Sequence, residues 1–159
     1  MKNYWIGVII GIISGALVMG ILLYRVSPGL MLKEKECRYA FDESVAQLES
    51  SVLEHSWTIP KIHDLQQSLS AFGYDVRRVK IMEICNPEYA SKILQGNEER
   101  VVSSMMPCRI AVYEKEDGKV YTSFMTPSLM AGAIGGTVRE VMVMAQKDLK
   151  EMIGVITKE

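Results

Sequence analysis

The pattern of hydrophobic and polar residues divides this chain into an uncharged apolar run and a longer segment in which the two kinds of residue alternate. From Trp5 to Tyr24 no side chain carries a charge, and most residues are Ile, Leu, Val, Met, Gly or Ala. At about 1.5 Å per helical residue, such a run spans roughly the 30 Å hydrocarbon core of a bilayer. The sequence therefore predicts a transmembrane helix over residues 5–24, an anchor and linker over residues 1–28, and one domain over residues 29–159.

The apolar run has the character of an uncleaved anchor that binds the lipid bilayer. It is longer than the core of a signal peptide, and no Ala-x-Ala cleavage pattern follows it. Gly7, Gly11 and Gly15 recur every four residues, a spacing that lets two membrane helices pack closely. Glycine is also common in membrane helices in general, so both interpretations of this spacing stay open.

The residues that flank the run bear on membrane orientation. Lys2 stands on one side, whereas Arg25, Lys33, Lys35 and Arg38 stand on the other, which by the distribution of basic residues would place the domain in the cytoplasm. A short N-terminal tail before a single anchor is, however, the common arrangement for export of the downstream domain. We expect a single-pass bacterial membrane protein with a periplasmic domain, the cytoplasmic side being the alternative.

Apolar spacings of three and four predict helices in the rest of the chain, and alternation predicts strands. The helix that follows Asp64 is expected to turn Leu65, Leu69 and Phe72 inward. The predicted elements up to the middle of the chain are a strand within Leu30–Tyr39, a helix capped by Asp42, a short strand over Trp57–Pro60 ended by the proline, a helix capped by Asp64, and a strand over Tyr74–Cys85.

Local signals are sharper in the second half of the chain. Asn86 followed by Pro87 is a strong helix start, and the helix should end near Gly96. Asp117 and Gly118, between two alternating stretches, predict a β-hairpin. The strands of this hairpin are expected over Arg109–Glu114 and Lys119–Phe124.

The remaining predicted elements complete the domain. A charged loop is expected over residues 97–100 and a pliable loop over Pro127–Gly136. Thr137 and Glu140 form a capping-box pattern before a long final helix. The resulting order, β-α-β-α-β-α-β-β-α, indicates an α+β domain in which helices pack on a mostly antiparallel sheet.

Composition narrows the classes of function. The chain has 18 basic and 19 acidic residues and no basic stripe, so nothing points to a nucleic acid as partner. Three cysteines are too few for a disulfide scaffold. The 11 methionines are many for this length; gap-filling in the core and soft-metal binding are both uses of this side chain.

Cys85 and Cys108 are the strongest chemical candidates, because each stands close to a proline at a predicted strand end. Cys85 also comes just before a predicted helix start, where a thiolate is stabilised. Neighbouring thiols at these positions could form a disulfide, a redox-active dithiol or half of a soft-metal site. A metal would need further ligands, for which we consider His63, Cys37, Met105 and Met106. The alternative is that both cysteines are small buried hydrophobic residues.

Other catalytic constellations are incomplete. His55 and His63 fall at predicted helix ends, where capping or solvent exposure accounts for them, and Ser103-Ser104 has no nucleophile elbow around it. The glycines over 132–136 lack the strand and the Lys-Ser/Thr of a phosphate-binding loop. We therefore predict no catalytic residues, and the sequence indicates no particular cofactor.

The soluble part resembles the domain of unknown function 302 family over roughly Lys33–Ile153. The resemblance rests on Cys37-Arg38-Tyr39-Ala40-Phe41-Asp42-Glu43-Ser44-Val45, on Ile62–Leu69, on Lys80-Ile81 leading into Cys85-Asn86-Pro87, and on Met106-Pro107-Cys108. Ile84 and Met106 stand where relatives have Ala and Leu, Arg109 replaces an Asn, and Glu83 replaces a small residue. The resemblance implies a fold like that of TATA-binding-protein-type domains and a homodimer, but no activity.

Two functions from different classes follow. The first is a non-enzymatic, membrane-tethered dimeric domain that binds a small-molecule ligand or a partner in a cleft between sheet and helices. The second is a thiol-dependent redox or soft-metal-handling protein. The candidate ligand or redox residues are Lys80, Cys85, Asn86, Pro87, Pro107 and Cys108.

Overall fold

The computed structural model describes residues 2–127 and 134–158, which divide into two compact units after residue 31. The first unit is a single helix, α1 (Lys2–Met31). Within the described part of the chain, no helix combines the length and the apolar character that crossing a bilayer requires. Gly7, Gly11 and Gly15 lie in α1, and a Cβ added at any of them would meet no described atom within 4 Å.

Within the described residues, the second unit has the predicted order of strands and helices, with a 3₁₀ helix added. Its elements are β1 (Leu32–Glu36), α2 (Phe41–Glu54), β2 (Thr58–Asp64), α3 (Leu65–Ser70), β3 (Val79–Cys85), α4 (Pro87–Leu94), the 3₁₀ helix (Glu99–Met105), β4 (Cys108–Glu114), β5 (Val120–Met125) and α5 (Gly136–Gly154). The predicted α+β class is thereby confirmed.

The five strands form one sheet in the order β1-β5-β4-β3-β2, in which every neighbouring pair is antiparallel. The β4–β5 hairpin turns at Gly118, whose φ of +74° favours glycine, as the Asp-Gly signal predicts. Ile84 pairs with Cys108 at the end of the β3–β4 ladder. The register therefore brings the end of β3 and the start of β4 to the same edge of the domain.

One face of the sheet packs against α2 and α5 to form the core. The strands contribute alternate residues to it, because side chains one residue apart point to opposite faces. The fully buried side chains of the core include Leu48, Val52, Ile84, Ile110, Leu149 and Met152. A smaller cluster of Ile93, Val102, Val138, Val141 and Met142 joins α4, the 3₁₀ helix and α5. This second cluster adjoins the strand ends that carry Cys85 and Cys108.

Two predictions about β2 and α2 are wrong. Ala40, not Asp42, is the N-cap residue of α2, and Asp42 lies in the first turn, where it forms an ion pair with Arg78. β2 does not end at Pro60 but continues to Asp64, with a register shift between Thr58 and Lys61. An edge strand tolerates proline at such an irregularity, because no ladder hydrogen bond is needed there.

The predictions for the other helix boundaries are mixed. Asp64 caps α3 as predicted, its carboxylate accepting a hydrogen bond from the Gln67 amide at 2.9 Å. Leu69 and Phe72 are, however, exposed rather than inward-facing, since α3 buries no residue. α5 begins after Gly135 without a side-chain cap, so the Thr137 capping box is wrong.

Two predicted loops also differ from the structure. The charged segment expected as a loop over residues 97–100 leads into the 3₁₀ helix Glu99–Met105, which therefore takes up part of that range. The loop predicted over Pro127–Gly136 falls largely on residues 128–133, which lie outside the described residues.

Candidate functional site

The end of β3, the start of β4 and two helices enclose a small cavity, called here the thiol cavity. Its volume is about 30 Å³, room for about one water-sized ligand. The residues that line it are Trp57, Ile84, Cys85, Asn86, Tyr89, Ala90, Ile93, Met106, Pro107, Cys108, Val141, Met142 and Ala145. Four of the six candidate site residues, Cys85, Asn86, Pro107 and Cys108, thus lie around a single space.

Both cavity thiols are free, and both residues are half-buried. Desolvation, followed by the charge of the nearby Cys85, raises the pKa of Cys108 to about 11. Desolvation also raises the pKa of Cys85. Both side chains therefore favour the neutral thiol at neutral pH, in contrast to the stabilised thiolate that we expected at Cys85.

The start of α4 explains why the helix does not activate Cys85. The Asn86 side-chain oxygen accepts hydrogen bonds from the backbone amides of Glu88 (3.0 Å) and Tyr89 (3.2 Å), and Pro87 occupies the first helical position. The predicted cap is thereby confirmed. Because Asn86 already satisfies these amides, they are not available to a thiolate.

Aromatic residues form one wall of the thiol cavity. Trp57 and Tyr89 meet edge to face, with ring centroids 5.8 Å apart. The indole nitrogen of Trp57 donates to Asp148 of α5 at 3.1 Å. Burial, together with a hydrogen bond to the same carboxylate, raises the pKa of Tyr89. Asp148 thus ties the segment after α2 and the start of α4 to α5, which fixes the shape of the wall.

The remaining predicted candidates lie elsewhere. Lys80 faces Asp64, with 3.9 Å between its nitrogen and the carboxylate, and Pro87 does not line the cavity. His63 pairs with Glu83 at 3.1 Å. Cys37 is buried beside Thr157, where desolvation raises its pKa. The structure therefore does not bring Lys80, His63 or Cys37 to the two cavity thiols.

Met105 and Met106, the methionines considered as metal ligands, differ in their position relative to the cavity. Met105 ends the 3₁₀ helix and does not line the cavity, whereas Met106 does. Among the described residues, no group of three or more His, Cys, Asp or Glu side chains is placed to hold a metal ion. A four-ligand zinc site built from these residue types is therefore not present in that part of the chain.

Sequence reasoning missed several residues of the cavity, among them an aromatic pair and a methionine of α5. Trp57, Tyr89 and Met142 are scattered over 86 residues, from Trp57 to Met142, and each fits an ordinary core position in its own element. The spacing of Tyr89 and Ile93, one turn apart on α4, is the only local signal for the wall, because it defines the inward face of that helix.

Comparisons with known proteins agree with this fold. The model of the family described as "Domain of unknown function DUF302" matches residues 33–157. An "Uncharacterized protein" of Aquifex aeolicus (strain VF5) is 27% identical over 136 residues, which covers 83% of this chain and 88% of that protein.

A solved structure supports the same assignment at the level of the fold. The crystal structure of an uncharacterized conserved DUF302 protein from Bacillus stearothermophilus is 20% identical and superposes with a TM-score of 0.70. The match covers 79% of this chain and 97% of the solved one. Since the family model spans most of the chain, the protein belongs to the DUF302 family.

Proposed function

We propose that the domain is a non-enzymatic binding module whose ligand occupies the thiol cavity. The observation that carries this proposal is that one cavity brings together candidate residues from two separate places in the sequence. These residues are Cys85, Asn86, Pro107 and Cys108. Small ligands commonly bind in such apolar concave sites, which few polar groups interrupt. In its present shape, the cavity has a volume of about 30 Å³, so its ligand is restricted to one ion or one very small molecule.

The alternative, a thiol-dependent redox enzyme, is less well supported. A catalytic cysteine acts as its thiolate and has a lowered pKa, commonly beside a cation or at uncapped helix amides. Here desolvation raises the pKa of both Cys85 and Cys108. The amides at the start of α4 are occupied by Asn86. The cavity is therefore suited to holding a ligand rather than to attacking a substrate.

Thiol-labelling by reagents of different size tests the proposal. Methyl methanethiosulfonate transfers a CH₃S group to a cysteine, forming a mixed disulfide and releasing methanesulfinate. With the full chain in detergent, we expect this small reagent to modify Cys85 in the native state. The bulky 5,5′-dithiobis(2-nitrobenzoate) should react only after unfolding. Peptide mass spectrometry gives the rate at each cysteine, and urea-unfolded protein provides the reference rates.

Two other outcomes would contradict the proposal. If both reagents react only after unfolding, the cavity admits no ligand and the cysteines are ordinary core residues. If Cys85 or Cys108 reacts faster in the native protein than in the unfolded chain, the thiol is activated, and the redox alternative replaces the binding module.

We also propose that the module is tethered to a membrane by residues 5–24, with the domain on the periplasmic side. The support is the absence of charge from Trp5 to Tyr24 in the sequence. Alkaline carbonate extraction of cell membranes should leave the full chain in the pellet and release a chain that lacks residues 1–31. Extraction of the full chain into the supernatant would contradict the tether.

A homodimer is proposed through the sheet face opposite α2 and α5. Ile81 and Ala111, paired across β3 and β4, and Tyr121 of β5 are half-buried on this face. Light scattering on the purified protein should give twice the 17.9 kDa chain mass after the detergent contribution is subtracted, and a monomer would contradict it.

A further inference from the structure

We propose that the thiol cavity is a site for a single cuprous ion, bound by the sulfur atoms of Cys85, Cys108, Met106 and Met142. This inference rests on the proposed function, because it names the ligand of the same cavity. It adds two thioether ligands, one of which, Met142, comes from a helix far along the chain from the two cysteines.

The four sulfur-bearing residues come from separate parts of the fold. Cys85 ends β3, Cys108 begins β4, Met106 directly precedes Pro107, and Met142 lies on α5. Pairing of Ile84 with Cys108 and packing of α4 against α5 bring these parts together. All four residues line the same cavity. Met142 is buried in the second cluster and Met106 packs against it, so both methionine side chains are held at the cavity wall.

The chemistry of the lining selects a soft ion. Thiolate and thioether sulfur prefer cuprous copper, whereas Mg²⁺, Ca²⁺ and Mn²⁺ require carboxylate or carbonyl oxygens. Asn86 is the only lining residue with a side-chain amide, and its oxygen is already bound to the α4 amides. Apart from the tyrosine, asparagine and tryptophan, the remaining lining side chains carry sulfur or are hydrocarbon. Hard cations would therefore lose their water without gaining oxygen ligands in the described cavity.

The charge balance suits an apolar cavity. When Cys85 binds the ion, its S–H bond breaks, a Cu–S bond forms, and the proton passes to water. One thiolate neutralises the single positive charge of the ion, so no net charge is buried. The Cys108 sulfur and the two thioethers add neutral lone pairs. The copper stays cuprous throughout, and no electron is transferred.

The volume of the cavity fits one ion better than an organic ligand. About 30 Å³ is room for about one water molecule, well below the roughly 300 Å³ of a typical site for an organic molecule. The larger described cavities, of about 370 and 410 Å³, lie elsewhere and contain no sulfur-bearing residue among their linings. A cuprous ion therefore fits the thiol cavity both in size and in donor type.

An anaerobic titration of the reduced full chain with cuprous copper tests the inference. Ascorbate keeps the copper reduced, and bathocuproine disulfonate competes for it and reports the free ion. We expect one ion per chain and a copper X-ray absorption spectrum with a sulfur-only first shell. Met142→Leu should weaken binding by more than about tenfold, because even changes outside the ligand shell commonly cost a metal site tenfold or more.

Matched variants separate ligand loss from damage to the fold. Leucine has about the volume of methionine, so such replacements in a core usually preserve the fold. Met152→Leu on the same helix is the control, since Met152 is fully buried but does not line the cavity. Met106→Leu is the second test variant if Met142→Leu fails to fold. Equal affinity in Met142→Leu, Met106→Leu and the control would overturn the inference.

Together, the copper and labelling experiments distinguish failure of the copper inference from failure of the proposed binding function. If methyl methanethiosulfonate enters the native cavity but copper binds weakly or through oxygen and nitrogen, only the copper inference falls. If the small reagent cannot enter until the chain unfolds, the binding function falls, and the copper inference falls with it.

Discussion

At the residue scale, the environment of Cys108 determines what its thiol can do. The side chain begins β4 and packs against the core, and desolvation raises its pKa to about 11 from the ordinary 9.0. A thiol of this kind is a poor nucleophile at neutral pH, yet its neutral sulfur remains a donor for a soft ion. Burial therefore favours the proposed binding role of this cysteine over a catalytic one.

The raised pKa of Cys108 predicts a loss of stability at high pH. The folded state holds the proton more tightly than the unfolded chain does, so the contribution is complete below the unfolded pKa. It is lost as pH rises from the unfolded value towards 11. In the reduced, metal-free protein at pH 10, this loss amounts to about 1–2 kcal/mol.

Urea unfolding of the wild type and Cys108→Ser between pH 7 and pH 10.5 measures this loss. Serine does not ionise in this range, so the variant should lose less stability than the wild type as the pH rises. Cys37 and the tyrosines are present in both proteins and cancel in the comparison. Parallel stability curves for the two proteins would show that Cys108 is not desolvated in the fold.

At the element scale, α4 forms one wall of the cavity. A local sequence signal, the helix cap at its start, sets the position of this wall. Asn86 and Pro87 define its start, and the same short sequence separates β3 from the helix. This part of the fold is predictable because the cap is a contact between residues two and three positions apart. Tyr89 and Ile93 then face the cavity and the second cluster as a consequence of helical spacing.

Asn86→Ala should destabilise the domain by about 1 kcal/mol, because two amides of the first turn lose their acceptor. It should also speed the reaction of methyl methanethiosulfonate with Cys85, since a frayed α4 opens the wall. Chemical unfolding and site-resolved labelling measure the two effects.

Asn97→Ala is the matched control for this prediction. Asn97 is outside the described helices, and its side-chain amide donates to the exposed Glu98 carboxylate at 3.1 Å. If Asn86→Ala and Asn97→Ala have the same stability and labelling rate, the cap does not hold the cavity wall.

Elements whose exposure depends on distant parts of the chain were harder to predict. The apolar spacing of Leu65, Leu69 and Phe72 indicates an inward face, but in the structure Leu69 and Phe72 are exposed and only Leu65 is half-buried. Pro60 suggests a strand end, yet an edge position with a register shift accommodates it. In both cases the tertiary neighbours, not the local pattern, decide the outcome.

At the scale of the whole molecule, the sheet order brings the thiols together. Element order and the β4–β5 hairpin follow from the sequence, because their signals are local. The pairing of β3 with β4 joins residues more than twenty positions apart, and α5 closes the cavity from still farther along the chain. Cys85 and Cys108 were therefore recognisable as candidates, whereas Trp57 and Met142 became part of the site only in the folded domain.

The central claim is that the thiol cavity admits a ligand, and filling the cavity tests it most directly. Ala90 lines the cavity on α4, whereas Ser91 is the next residue and is exposed. The measurement is the native-state rate at which methyl methanethiosulfonate modifies Cys85 in Ala90→Leu and in Ser91→Leu. Each variant adds the same larger side chain to the same helix, at neighbouring positions.

We predict that Ala90→Leu slows the labelling of Cys85 strongly while Ser91→Leu leaves it at the wild-type rate, because only the first leucine occupies the cavity. Thermal unfolding of both variants verifies that the domain is folded. Equal rates in two folded variants would contradict the account, because the reagent would then reach Cys85 by a route that does not involve the thiol cavity.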